Sequence, residues 1–323
     1  MGVTANTNET YDVTTIREDI QDALASISPT ETIFMSTIGT RNVDNTFFEW
    51  AEVDLAAAST SNRVIEGEAA PGNDAGTNAV RKGNYTQISD KVVEVSATAE
   101  AVNGVGDAQT VAEQVAYKLK EIKRDMEAML LSNVAASAGA SGTARQTAGL
   151  PAFLTTNVSR GTGGANGTTS GSGSAGFPNA AATDASAGNM RAVTEALLKS
   201  VIKDCWDSGA EPSVVLCGSA QKQTISAFTG NATRYKEAED AKLMAAIDVY
   251  VSDFGEVQIV PARHVRSRDV FVLDPNYASV AYLQTAKQEP LAKTGHSERR
   301  LISVEYGLQV TSEKAHGVVA DIS

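Results

Sequence analysis

The chain has 323 residues, 26 of them glycine, with 39 acidic against 27 basic side chains and a formal charge of −12. That length allows one large or two modest domains with a substantial core. The acidic balance, with no clustered Lys/Arg face, excludes a sequence-reading nucleic-acid protein, whose phosphate contacts need concentrated positive charge.

Residues 1–13 are polar, and Thr14 to Ile27 follows as a short amphipathic helix with Ile16, Ile20, Leu24 and Ile27 on one side and Thr15 and Glu18 as a capping pair. Pro29 ends it. Ile33 to Gly39 then reads as an extended apolar arm, too short to bury its side chains on itself. Phe47 to Leu55 reads as a strand, and Tyr85 to Thr98 as the returning one, where Val93, Val95 and Ala97 alternate with Glu94, Ser96 and Thr98. Between them, 59–83 carries turn signals at Glu66-Gly67 and Pro71-Gly72-Asn73-Asp74. The expectation is one long protruding hairpin. Two strands alone are marginally stable in water, so this one needs another surface to lie on. Its charges point to that surface: Glu49, Glu52, Asp54, Glu66 and Glu68 going out, Arg81, Lys82 and Lys91 coming back.

Thr110 to Ala136 organises the rest. Val111, Val115, Leu119, Ile122, Met126, Met129/Leu130 and Val134 fall at helical spacing, and Thr110 with Glu113 forms a capping box. The rod would be roughly 40 Å long. Its apolar stripe is narrow, with Lys118, Lys120, Glu121, Lys123, Arg124 and Glu127 filling the remainder, so it is expected to lie across a body and not inside one.

Leu150 to Leu154 reads as extended, and the low-complexity Gly/Ser/Thr/Ala/Asn stretch 155–189 as a surface loop, since ordering it costs about 1–2 kcal/mol per residue with little apolar area in return. Within it Gly171-Ser172-Gly173-Ser174-Ala175-Gly176 matches the dinucleotide fingerprint but lacks the strand before it and the helix after it that such binding requires. From Met190 the pattern becomes α/β. A helix is expected over Met190 to Trp206, a buried strand over Pro212 to Cys217, and a helix over Ala220 to Phe228 capped by Ser219. Ile247, Val249 and Val251 with Val257 and Ile259 predict a hairpin turning at Ser252 to Gly255, followed by strands at Asp269 to Pro275 and Ala278 to Leu283. In the last strand Ile302, Val304, Tyr306, Leu308 and Val310 face a core, with Ser303, Glu305, Gly307 and Gln309 toward solvent or a neighbour.

No chemistry emerges. His264, His296 and His316 lack metal spacing, no nucleophile elbow occurs, and no carboxylates pair in a recognisably buried setting. Trp50 and Trp206 read as packing anchors. Cys205 and Cys217 share no C-x-x-C spacing and are expected as buried thiols, in a soluble and reducing compartment. No leader-like apolar region opens the chain and no run approaches membrane-spanning length. The expectation is a non-enzyme without cofactor or metal: a long beam, an unsupported hairpin, a detached arm and an α/β body describe a subunit built to hold other subunits.

The motifs Thr30-Glu31-Thr32-Ile33-Phe34-Met35-Ser36, Gly83 to Ile88 with Val95 to Thr98, Ser252 to Val257, and Pro290 to Gly295 followed by Glu305 to Leu308 resemble, in order and spacing, those of the major capsid proteins of tailed bacteriophages, in particular prophage and podophage-like coat proteins. The resemblance covers nearly the whole chain and implies an α+β fold of the Hong Kong 97 type, shared with encapsulin shells. By position it implies an N-arm at 1–46, an E-loop at 47–106 whose hairpin spans 47–99, and a P-domain spine helix at 107–149. An A-domain at 150–290, with 155–189 as an insertion, and a return strand to the P-domain with the C-terminus at 291–323 follow. It further implies pentamers and hexamers of the chain in an icosahedral shell around double-stranded DNA, assembled in the host bacterial cytoplasm, with a portal as partner; scaffolding comes from a separate protein or is absent, and a decoration protein stays open. Trp50, Glu52, Glu66, Arg81 and Lys82 are then the candidate intersubunit residues, and Lys118, Lys120, Lys123 and Arg124 the candidate inner-surface residues. An encapsulin shell, a surface adhesin and a capsid decoration protein are the competing readings.

Overall fold

The computed structural model describes residues 30–67, 69, 76–102, 110–170, 176–228 and 249–323. The helix expected at Thr14 to Ile27, the turn at Pro71 to Asp74, Ile247 and all but the last glycine of the fingerprint match lie outside the described residues.

The arm does not enter extended. Ile33–Thr37 (α1) is a single helical turn, too short to persist alone. The backbone N–H groups of Phe34 and Met35 donate to the two carboxylate oxygens of Glu127, at 2.7 and 2.9 Å, and the Phe34 ring is fully buried. Gly39–Asn42 (β1) and Phe47–Glu52 (β2) follow. The expected returning strand is two strands. Val80–Tyr85 (β3) pairs antiparallel with β2, and after the buried Thr86 the chain enters a different sheet as Gln87–Ser96 (β4). Ser96 caps the short Ala97–Ala101 helix (α2).

Val111–Leu130 (α3) starts at the expected cap, Thr110 Oγ1 accepting from the Glu113 N–H at 3.3 Å. It stops at Leu130, not Ala136, so the rod is about 30 Å long. Gly149 lies against its end so closely that a Cβ there would sit 1.9 Å from the Ser132 carbonyl oxygen. A continuing helix would meet that strand of chain.

Leu150–Phe153 (α4) is a helical turn and not extended, with Pro151 in the first turn, where its missing N–H costs nothing. The 155–189 stretch is not a bare surface loop. It contains Val158–Ser159 (β5) and the hairpin of Thr168–Ser170 (β6) with Phe177–Ala180 (β7), and it buries Asn157, Gly161, Gly167 and Ala185. Polar contacts from distant residues take the place of the missing apolar area. The Gly161 and Ala185 N–H groups donate to the Asp321 carboxylate at 3.2 and 2.8 Å, and Asn133 exchanges two hydrogen bonds with the Ala182 backbone.

Glu195–Asp207 (α5) starts later than expected because Thr194 supplies the cap. Val214–Cys217 (β8) is buried throughout, and Ser219–Ser226 (α6) has Ser219 as its first residue and Gly218 as its cap. Val249–Ser252 (β9), Gly255–Pro261 (β10), Asp269–Leu273 (β11), Ala278–Pro290 (β12), Ser297–Val310 (β13) and Gly317–Ala320 (β14) complete the described chain. The turn between β9 and β10 is where predicted, but Tyr250 faces in, opposite Val257, and Val249 and Val251 face out.

Two large sheets result. One has the order β1-β12-β13-β4, with α3 laid across β4 and β13 through Val115, Ile122, Met126 and Leu130. The other has the order β5-β14-β11-β8-β10-β9. Its two faces read directly from period two: Val214, Leu216, Phe271 and Leu273 join the core under the first sheet, whereas Val215, Cys217, Val270 and Val272 pack with α5. The second face of β13, expected outside, is covered as well. Glu305, Gly307 and Gln309 are buried because Phe48 lies across Gly307, Arg145 pairs with Glu305 at 2.6 Å and Arg41 reaches Gln309 at 3.0 Å.

Candidate assembly surface

The ribbon of β2 and β3 is rooted by aromatic packing. Phe48 and Trp50 share its inner face, and the Trp50 ring lies 6.3 Å from Phe153 of α4. On the other face Phe47, Tyr85 and Phe177 form a cluster with centroids 4.7–6.1 Å apart. Gly83 is the seat of the Phe47 ring, 2.7 Å from where a Cβ would be. The charges close the same root: Glu49 pairs with Arg81, and Glu52 pairs with Lys82 and accepts from Ser312 at 2.6 Å. Asp54 pairs with Lys314 at 2.6 Å.

Four of the five residues expected between subunits therefore have partners within their own chain. Trp50 is core, and Glu52, Arg81 and Lys82 hold the ribbon to itself and to the 312–314 turn. Glu66 is exposed, next to Gly67, whose φ of +82° makes the turn there. The extension beyond the root carries exposed apolar groups, Leu55 at 83% and Val64 at 71% exposure. Such a stretch gains nothing from water.

On α3, Lys118 pairs with Glu121 at 2.8 Å, Lys120 and Lys123 are exposed, and the Lys120 ammonium lies 5.9 Å from the Tyr117 ring centroid. Arg124 is half-buried near His264, whose pKa is lowered by burial and by Arg124 and Arg263. The helix thus presents two exposed lysines, one of them over an aromatic ring, and not a four-residue basic patch.

Sequence reasoning missed the buried polar joints. Asn84 donates to Thr147 Oγ1 at 2.9 Å and to the Leu308 carbonyl at 2.7 Å, and Thr86 donates to Glu305 at 2.7 Å. Asp184 and Asp269 meet at Arg266, and Arg268 links Asp184 to Asp321. Carboxylates do converge, contrary to expectation, but every one is paired with arginine. Burial raises the Asp269 pKa to about 6 despite Arg266. Apart from the Arg266–Asp269 pair, three residues apart, local sequence holds no signal for these joints, because their partners lie scores of residues away. Burial likewise pushes the Cys205 and Cys217 thiols up to about 12 and about 11, and both are free. Trp206, expected as an anchor, is exposed. Among the described residues no three His, Cys, Asp or Glu side chains are placed to hold a metal ion, and no described helix is long and apolar enough to cross a membrane.

A long helix on a four-stranded sheet, a rooted ribbon with an exposed extension and a second six-stranded sheet make up the Hong Kong 97-type fold of tailed-phage capsid proteins. Among solved structures the chain is similar to the capsid subunit of cyanophage A-1(L), with a TM-score of 0.65 and 12% identity over 97% of this chain and 98% of that one. It is also similar to the encapsulin of Synechococcus elongatus PCC 7942, at a TM-score of 0.56 and 12% identity over 95% and 92% of the two chains. The SU10 major capsid protein family matches residues 3–323, and the chain belongs to that family. The major capsid protein of Escherichia phage Phieco32 is 37% identical over 112 residues, a match spanning 35% of this chain and 32% of that protein.

Proposed function

We propose that the chain is the coat subunit of a tailed bacteriophage, assembling with itself as pentamers and hexamers into the icosahedral shell that encloses double-stranded DNA. The observation that carries the reading is membership of a major capsid protein family along residues 3–323. Expressed alone or with its scaffold, the chain should yield closed shells or capsomers in negative stain; compact monomers or trimers would overturn the reading and favour a decoration protein or an adhesin.

Within this reading 1–46 is the N-arm, 47–106 the E-loop, 107–149 the spine segment, 150–290 the A-domain with 155–189 inserted, and 291–323 the return to the P-domain. The exposed extension 53–67 is the part of the E-loop that lies on a neighbouring copy. Hydrogen exchange should find its amides protected in particles and open in dissociated subunits; equal exchange in both would remove that role. A portal, a separate scaffolding protein and a decoration protein are its further partners, and assembly takes place in the host cytoplasm. The likeness in fold to an encapsulin supports the second reading, a protein compartment. A portal and terminase beside the gene favour the first, a cargo enzyme the second.

A further inference from the structure

Trp206, in the last turn of α5, is 50% exposed, and Phe254, in the turn between β9 and β10, is 37% exposed. Their ring centroids are 5.1 Å apart with planes inclined by 33°, and neither ring belongs to either apolar core. Two large rings held together in water contribute little to the fold; their area counts when something covers it, which is why Trp and other aromatics anchor interfaces. At the same corner β9 is the outermost strand of its sheet among the described residues, with Val249 and Val251 outward. Its sequence Val249-Tyr250-Val251-Ser252 carries no charge or proline, the usual devices that keep an edge apart from others. Just past Trp206 in the chain, Ser208, Gly209 and Ala210 line a cleft of about 310 Å³ shared with Val53, Asp54 and Tyr277, at the base of the E-loop extension.

We propose that the Trp206–Phe254 corner is a contact between neighbouring copies of this chain, covered when the shell forms; the inference rests on the coat-protein reading. Its rim is acidic, with Asp207, Asp253 and Glu256 exposed and Lys203 taken up by Asp207, so duplex DNA is repelled. A second copy offers an apolar counterpart, where Leu55 and Val64 stand exposed beside Arg63 and Glu66. Joining two different patches of identical chains is a heterologous contact, which repeats around a ring and suits capsomers.

Tryptophan fluorescence tests it, because Trp50 is buried within the subunit and Trp206 is the other tryptophan of the chain. In particles assembled from this chain without other virion proteins, emission should shift to the blue and acrylamide quenching should fall several-fold relative to dissociated subunits. That change should vanish in Trp206→Phe. Phe254→Ser should lower particle yield while leaving the subunit's circular dichroism and urea midpoint as in wild type. Particles in which Trp206 is quenched as in free subunits overturn the contact, as does wild-type yield from Phe254→Ser. Protection that arises only when another virion protein is added overturns it too, since that protein is then the occupant. A chain that makes no particles either alone or with its scaffold defeats the coat-protein reading and this contact with it, a result distinct from particles with an exposed Trp206.

Discussion

Glu127 joins two parts of the chain that are 92 and 93 residues apart, and it does so buried, with its pKa raised by the loss of water and lowered only in part by the Phe34 and Met35 N–H groups. Each donor left unsatisfied costs roughly 1–3 kcal/mol. Glu127→Ala should therefore lower the urea midpoint and speed amide exchange at Phe34 and Met35. Glu127→Gln, which keeps one acceptor, should do less. His316 makes a pH prediction. It is fully buried, its Nδ1 accepts from the Asp274 N–H at 3.4 Å, and burial holds its pKa near 4 against an ordinary 6.5. The unfolded chain therefore binds the proton first, and stability falls as pH drops from 6.5 through about 4, by about 3 kcal/mol from this group. Asp269, raised from 3.8 to about 6, acts with the opposite sign over an overlapping window, because the folded chain binds its proton first. Urea midpoints measured from pH 7 to 4 should accordingly fall less steeply in His316→Asn than in wild type.

At the level of elements, the 155–189 insertion is where composition misleads. Gly161 and Gly167 are not spacers. A Cβ at Gly167 would lie 2.6 Å from the Ala180 carbonyl oxygen and 3.0 Å from that of Ala152, and one at Gly161 2.7 Å from that of Asn189. Backbone cannot yield there as a flexible side chain would. Gly167→Ala should cost about 1–3 kcal/mol or more through overpacking, whereas Gly188→Ala, with open space around it and no unusual φ, should be close to neutral. Thermal melts of the two variants decide this. Deletion of Gly161 to Gly176, acceptable for a bare loop, should impair folding, since it removes the Gly161 bond to Asp321 and the β6–β7 hairpin. The α3 helix shows the converse. Its start was readable because a cap is local, and its end was not, because Gly149 and Ser132 meet through the fold.

For the whole molecule, a charge of −12 means that a shell of such subunits does not hold DNA by bulk attraction. Lys120 and Lys123 remain as exposed cations on α3, while Lys118 is tied to Glu121. Placed toward the packaged genome, they would soften its contact with the wall within a Debye length of about 8 Å at physiological salt. Lys120→Gln with Lys123→Gln should then lower genome retention on heating and leave empty-shell yield unchanged. Equal heat survival of filled particles would assign both lysines to solvent or to a neighbouring subunit.

The sequence by itself determined the elements whose cause is local. Period two in Ile302 to Val310, helical spacing with a cap at Thr110, and the uninterrupted apolar run Val214 to Cys217 each specify one element and its buried face, and the order of short motifs pointed to the capsid fold. Only the tertiary structure decided which strands pair and which polar groups are buried. That Tyr85 closes one ribbon and Gln87 opens another sheet, that Trp50 and Glu52 are spent inside the subunit while Trp206 is left outside, and that Asp321 holds the insertion at Gly161, 160 residues earlier, all depend on long-range contacts. A buried charge is tolerated only where a partner meets it, and the partner's position is a property of the folded chain.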